Sequence, residues 1–115
     1  MATRIAVDAM GGDQAPDAVV QGVAQAARHA DRPLELVLFG PTKHVRPALE
    51  AIPDRDALPL RMEHAPDVIT MAEAPATAVK RKRRSSIHLG LAAQNEGHVD
   101  AFISAGNTGA IMAAS

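Results

Sequence analysis

The chain has 115 residues, 47% hydrophobic and 22% charged, which suits one globular domain. It contains no cysteine, tryptophan or tyrosine, so disulfides, thiolate metal sites and cysteine nucleophiles are excluded and the core must be built from aliphatic residues. A net charge of −1 gives no overall case for nucleic acid, but five of the 12 basic residues sit together at Lys80 to Arg84, leaving seven basic against 13 acidic groups elsewhere.

Asp8 interrupts the apolar start after Ile5-Ala6-Val7, too early for the core of a signal peptide. No stretch approaches the ~20 apolar residues of a membrane span. Arg4 to Asp8 reads as a short strand, apolar in its middle and therefore buried on both faces. It runs into Ala9-Met10-Gly11-Gly12-Asp13-Gln14-Ala15-Pro16, where a glycine pair flanked by aspartates signals a turn. Pro16 suits the first position of a helix whose apolar face is Val19, Val20, Val23, Ala26, Ala27 and Ala30. Asp31-Arg32-Pro33 ends it.

Leu34 to Phe39 is a second strand, closed by Gly40-Pro41. Thr42 is placed to cap a helix reaching about Ile52, with Pro47 predicting a kink or a later start. Leu60 to His64 alternates as a third strand, and Ala65 to Ala74 is irregular. A helix is expected from near Pro75 through the basic block, interrupted or capped at Ser85-Ser86. Ile87, Leu89, Leu91 and Ala92 carry the next helix to Gly97. Ala101 to Ser104 is the fourth strand.

The chain then reads Ser104-Ala105-Gly106-Asn107-Thr108-Gly109-Ala110 and continues apolar through Ala114. This is a strand, a glycine turn and a helix start. Asn107 or Thr108 can cap that helix, and its first amides together with the macrodipole favour an anion, most often phosphate. The same residues also serve an ordinary strand-to-helix turn whose glycines answer only to geometry. Strands alternating with helices imply an α/β fold with a parallel sheet. Ligands bind such sheets beyond the carboxyl ends of the strands, where the loops Asp8–Asp13 and Ser104–Gly109 both lie. The second loop lacks the lysine of a P-loop, and neither matches the Gly-x-Gly-x-x-Gly dinucleotide fingerprint.

Asp8 and Asp13 can orient a substrate, hold a lysine or bind Mg²⁺ through water, or can simply shape the turn. Lys80-Arg81-Lys82-Arg83-Arg84 spans more than one helical turn, so its members cannot all face one ligand. It reads as a solvated helix end, as a docking patch for an acidic partner or anionic membrane, or as a localisation signal. The five histidines show no metal-ligand spacing, and only His88 falls near a candidate site. The fourth strand runs into a helix that is still apolar at Ala114, and the chain reads as the front part of a longer protein.

Three motifs, taken together, resemble the bacterial phosphate acyltransferases of phospholipid synthesis. They are Ile5-Ala6-Val7-Asp8-Ala9-Met10-Gly11-Gly12-Asp13 with Ala15-Pro16, Ala78-Val79-Lys80-Arg81-Lys82-Arg83 with Ser85-Ser86, and Asp100 to Ala110. The resemblance spans the chain. It implies the N-terminal part of a single α/β acyltransferase domain, residues 1–115, with a three-layer parallel-sheet fold like that of the isocitrate and isopropylmalate dehydrogenases but no nicotinamide or other cofactor and no metal. It further implies transfer of a fatty acyl group from acyl carrier protein to inorganic phosphate, and a cytoplasmic homodimer peripheral to the membrane, with no nucleic-acid partner. On this reading Asn107 and Asp8 are catalytic. Ser104, Gly106, Asn107, Thr108, Gly109, Gly11 and Gly12 bind phosphate, and Lys80, Lys82, Arg83 and Arg84 dock the acidic carrier protein. The motifs by themselves also admit a phosphate- or nucleotide-binding module without chemistry of its own.

Overall fold

The structure is a computed structural model, and it describes residues 2–70, 72–106 and 108–114. The elements in order are β1 (Thr3–Asp8), α1 (Asp17–Arg28), β2 (Leu34–Gly40), α2 (Thr42–Glu50), a short 3₁₀ turn (Arg55–Ala57), β3 (Leu60–His64), α3 (Pro75–Arg81), α4 (Ser86–Asn95), β4 (Ala101–Ile103) and α5 (Thr108–Ala114). The four strands form one parallel sheet in the order β3-β2-β1-β4. The expected α/β class and all four strands are present.

Period-two alternation divides the strand side chains between two cores. Val7, Leu36 and Leu38 face one side and pack with Val20 and Ala24 of α1 and Val45 and Ala48 of α2. Ala6, Val37 and Phe39 face the other, with Leu89 and Ala93 of α4. The sheet is therefore the middle of three layers, and its central strands are apolar on both faces because both are covered. A third cluster of Ile69, Ala78, Ile87 and Ala110 joins α3, α4 and α5.

Several boundaries differ from expectation for identifiable reasons. α1 buries Ala24, one turn beyond Val20, whereas Ala26 and Ala30 are exposed; a four-residue step holds the face better than the mixed spacing suggested. α2 begins at Thr42 and runs through Pro47, without a late start. Thr42 does not cap it; its amide and hydroxyl lie 3.2 and 2.9 Å from His64 Nδ1. α3 stops at Arg81 rather than crossing the basic block. Ser85 does cap α4, accepting the His88 amide at 3.1 Å. β4 ends at Ile103 because the Ser104 hydroxyl accepts the Gly106 amide at 2.9 Å and turns the chain out of the sheet. Among the described residues, no helix is long and apolar enough to cross a membrane.

α4 lies close over β4 through Gly90, where an added Cβ would collide with the ring of Phe102. Gly90→Ala gains up to about 1 kcal/mol of helix propensity and incurs roughly 1–3 kcal/mol of overpacking. A net loss of roughly 1 kcal/mol is expected on these magnitudes. In a Phe102→Leu background the same substitution should become neutral or stabilising; equal effects in both backgrounds, measured by thermal unfolding, would refute this contact.

Candidate functional site at the carboxyl edge of the sheet

From β1 the chain builds outward to β2 and β3, then returns to place β4 on the other side of β1. The loops that follow β1 and β4 therefore leave neighbouring strands in opposite directions, and a crevice opens between them. The crevice has a volume of about 400 Å³ and is bordered by Gly12, Asp13, Ile69, Thr70, Ala72 and Gly106.

The two glycine loops touch. A Cβ on Gly11 would lie 2.9 Å from the Gly106 amide nitrogen and 3.0 Å from that of Ala105, both backbone atoms that cannot swing aside. Gly12 takes φ +92°, a conformation that disfavours any side chain. The glycine pair thus answers one need for close approach and one for backbone freedom.

Asp8 ties these loops together. It closes β1 and is only 3% exposed. Its Oδ1 accepts the Ser86 hydroxyl at 2.5 Å and the Met10 amide at 3.0 Å, while its Oδ2 accepts the Ser104 hydroxyl at 2.7 Å. Ser104 in turn accepts the Gly106 amide. Asp8 is thus engaged on both oxygens, and it is absent from the lining of the 400 Å³ crevice. Asp13, by contrast, is exposed at the crevice rim.

In sequence, Ser86 reads only as an interruption or cap. Its neighbour Ser85 supplies the cap, and Ser86, 2% exposed at the start of α4, turns to Asp8. The local signal was a pair of serines before an apolar run; the partner lies 78 residues away and is invisible in that window.

The segment between β3 and α3, read as irregular, forms the second wall. It is pinned by Lys82, whose ammonium donates to the Val68 carbonyl at 2.6 Å and pairs with Glu73 at 2.7 Å. Glu73 also accepts the Thr70 amide at 2.6 Å, and the Asp67 amide donates to the Arg84 carbonyl. Lys82 is thereby half-buried and committed to the wall, while Lys80, Arg81, Arg83 and Arg84 are exposed. His88 packs between α4 and α3, with Nε2 2.9 Å from the Val79 carbonyl.

Gly11, Gly12, Asp8, Ser104 and Gly106 are thus brought together as the motifs suggested. Gly109 follows in α5, with Thr108 at its first position, and Asn107 lies outside the described residues. Among the described residues no group of three or more histidines, aspartates and glutamates is placed to hold a metal ion.

The profile of the family described as fatty acid synthesis protein matches residues 3–115. The chain belongs to this family. Proteins named phosphate acyltransferase are similar to it along nearly its whole length. That of Salinibacter ruber is 54% identical over 114 residues, 99% of this chain and 34% of the relative. That of Chlorobaculum tepidum is 52% identical over 106 residues, 92% and 32% of the two chains. That of Levilactobacillus brevis is 49% identical over 111 residues, 96% and 30%. The chain spans about a third of the length of these relatives. Within the family's shared region lie both glycine loops, the basic block and the Asp8 network.

The clamp on the crevice wall carries a pH dependence. The Lys82 hydrogen bond, then the Thr70 amide, hold the Glu73 carboxyl below its ordinary value of 4.5. A depressed acid contributes stability that is fully present above the ordinary value and is lost as pH falls through the lowered one. Amide exchange in residues 68–73, corrected for intrinsic rates, should therefore be flat from about pH 6 to 8 and rise only below pH 4.5. Glu73→Gln should remove that acid step, and an unchanged profile would count against the clamp.

Proposed function

We propose that the complete protein is a phosphate acyltransferase that moves a fatty acyl group from acyl carrier protein to inorganic phosphate, giving acyl phosphate for phospholipid synthesis. The observation that supports this most is the meeting of two glycine loops at the sheet's switch-point crevice, in a chain 49–54% identical to proteins named phosphate acyltransferase. A phosphate oxygen attacks the thioester carbonyl, the carbon–sulfur bond breaks, and the carrier leaves as its thiol. Phosphate is itself the nucleophile, so the chemistry asks the protein for binding, orientation and stabilisation of the developing oxyanion.

In this reading the turn from Ser104 to Gly109, with Gly11 and Gly12 opposite, holds the phosphate, and Asn107 supplies a donor to the reacting centre. The Gly106 amide is spent on Ser104, so Gly106 serves by close approach. The exposed cations Lys80, Arg83 and Arg84 receive the acidic carrier. The complete protein acts as a cytoplasmic homodimer peripheral to the membrane, without a cofactor, and its further residues complete the cleft.

The test is acyl phosphate formation by the purified full-length protein, trapped with hydroxylamine. Asn107→Ala should lower kcat about a hundredfold, since a lost transition-state donor costs roughly 3 kcal/mol. A lost helix cap alone costs on the order of 1 kcal/mol and would appear in the melting temperature instead. Phosphate binding without turnover in the wild type would favour a binding module and overturn the proposal.

The triple reversal Lys80→Glu, Arg83→Glu and Arg84→Glu should raise the KM for the carrier substrate and flatten its salt dependence, leaving the phosphate KM unchanged. A rise in the phosphate KM alone would place the block at the phosphate site.

A further inference from the structure

We infer that Ser86 and Asp8 are positioning residues that set the phosphate turn through a buried hydrogen-bond chain, an inference that rests on the turn's role proposed above. Ser86 belongs to α4, between the two glycine loops in sequence, and it does not border the crevice. Yet its hydroxyl donates to Asp8 Oδ1, Asp8 Oδ2 accepts Ser104, and Ser104 accepts the Gly106 amide. Each link is directional. Ser86 and Ser104 each have a single hydroxyl proton, and both protons point into the same carboxylate. That fixes the rotor of Ser104 and leaves its lone pairs facing the Gly106 amide.

The packing around this chain leaves little slack. A Cβ at Gly106 would stand 3.1 Å from both Asp8 Oδ2 and Ser104 Oγ, and one at Gly11 would stand 3.1 Å from Asp8 Oδ2. The carboxylate thus sits between the two glycine loops, and a change in its hydrogen bonding moves both. With Ser86 removed, Asp8 keeps only the Met10 amide on Oδ1 and the Ser104 hydroxyl on Oδ2, so the carboxylate loses one of the three donors that fix its side-chain torsion and shifts. The Ser104 hydroxyl follows, and the Gly106 turn loses its fixed register. Charge-assisted bonds of this type are stronger than neutral ones, so the first link matters more than an ordinary serine contact.

On this inference Asp8, buried and engaged on both oxygens by three donors, acts through the turn it orients.

The experiment uses the full-length protein with Ser86→Ala, Ser104→Ala and the double variant. Hydrogen exchange is followed in peptides covering residues 102–110 and, as a control, 34–40. Ser86→Ala should speed exchange around Gly106 while leaving β2 unchanged. The same variant should lower kcat/KM for inorganic phosphate roughly tenfold to a hundredfold, the size of effect expected when a binding group is displaced by about 1 Å. The double variant should lose less than the product of the two single losses, because both act through Asp8. A Ser86→Ala protein that melts at lower temperature but keeps normal exchange around Gly106, or a normal phosphate KM and kcat, would overturn the inference. If the wild type forms no acyl phosphate, the functional reading fails, and exchange around Gly106 still decides whether Ser86 controls the turn.

Discussion

A carboxylate placed in a protein interior must be met by donors, because leaving it unpaired costs far more than the fold can spare. Asp8 is such a group, and the way it is satisfied organises the functional edge of this sheet. Its donors come from three places: the loop just after β1, the start of α4, and the residue following β4. The ladder already sets Val7 beside Ile103, and meeting the needs of one side chain adds the start of α4 and the loop after β1 to that alignment. The close contact of Gly11 with the Ala105 and Gly106 amides follows from that alignment.

The same edge shows how much of the molecule was legible beforehand. Strands announced themselves because Ile5-Ala6-Val7 and Leu36-Val37-Leu38-Phe39 are apolar at consecutive positions, which only a sheet covered on both faces rewards. The glycine loops were legible because a glycine pair after a buried strand has few other uses. Ser86 was not, since a serine at a helix start is adequately explained by capping, and its partner is distant in the chain. The wall from Val68 to Ala72 was not legible either. Its order comes from Lys82 and Glu73 reaching back over it, and local composition says nothing of that. The end of β4 moved by one residue for a similar reason, a side-chain hydrogen bond outcompeting the ladder at Ser104.

The basic block illustrates a separate point. Five consecutive cations look uniform in sequence, but the end of α3 at Arg81 splits them. Lys82 turns inward to a backbone carbonyl and a carboxylate, and its neighbours remain at the surface. Lysine suits that inward task, because its compact ammonium serves a carbonyl and a carboxylate from one flexible stem. A run of like charge therefore divides into a structural member and a solvent-facing set, and any effect of removing the whole run mixes the two.

The pairing of β1 with β4 has a consequence for how the site comes into being. Asp8 and Ser104 are separated by 96 residues, and closing a flexible loop of that length costs roughly 4 kcal/mol of chain entropy. The β1–β2 and β2–β3 neighbours close much shorter loops and have every reason to form earlier on the ribosome, where elongation adds about 5–20 residues per second. The crevice exists only once β4 has docked beside β1. Loosening β4 would dissolve the site, so binding at the crevice would act on the folding equilibrium by holding β1 and β4 together.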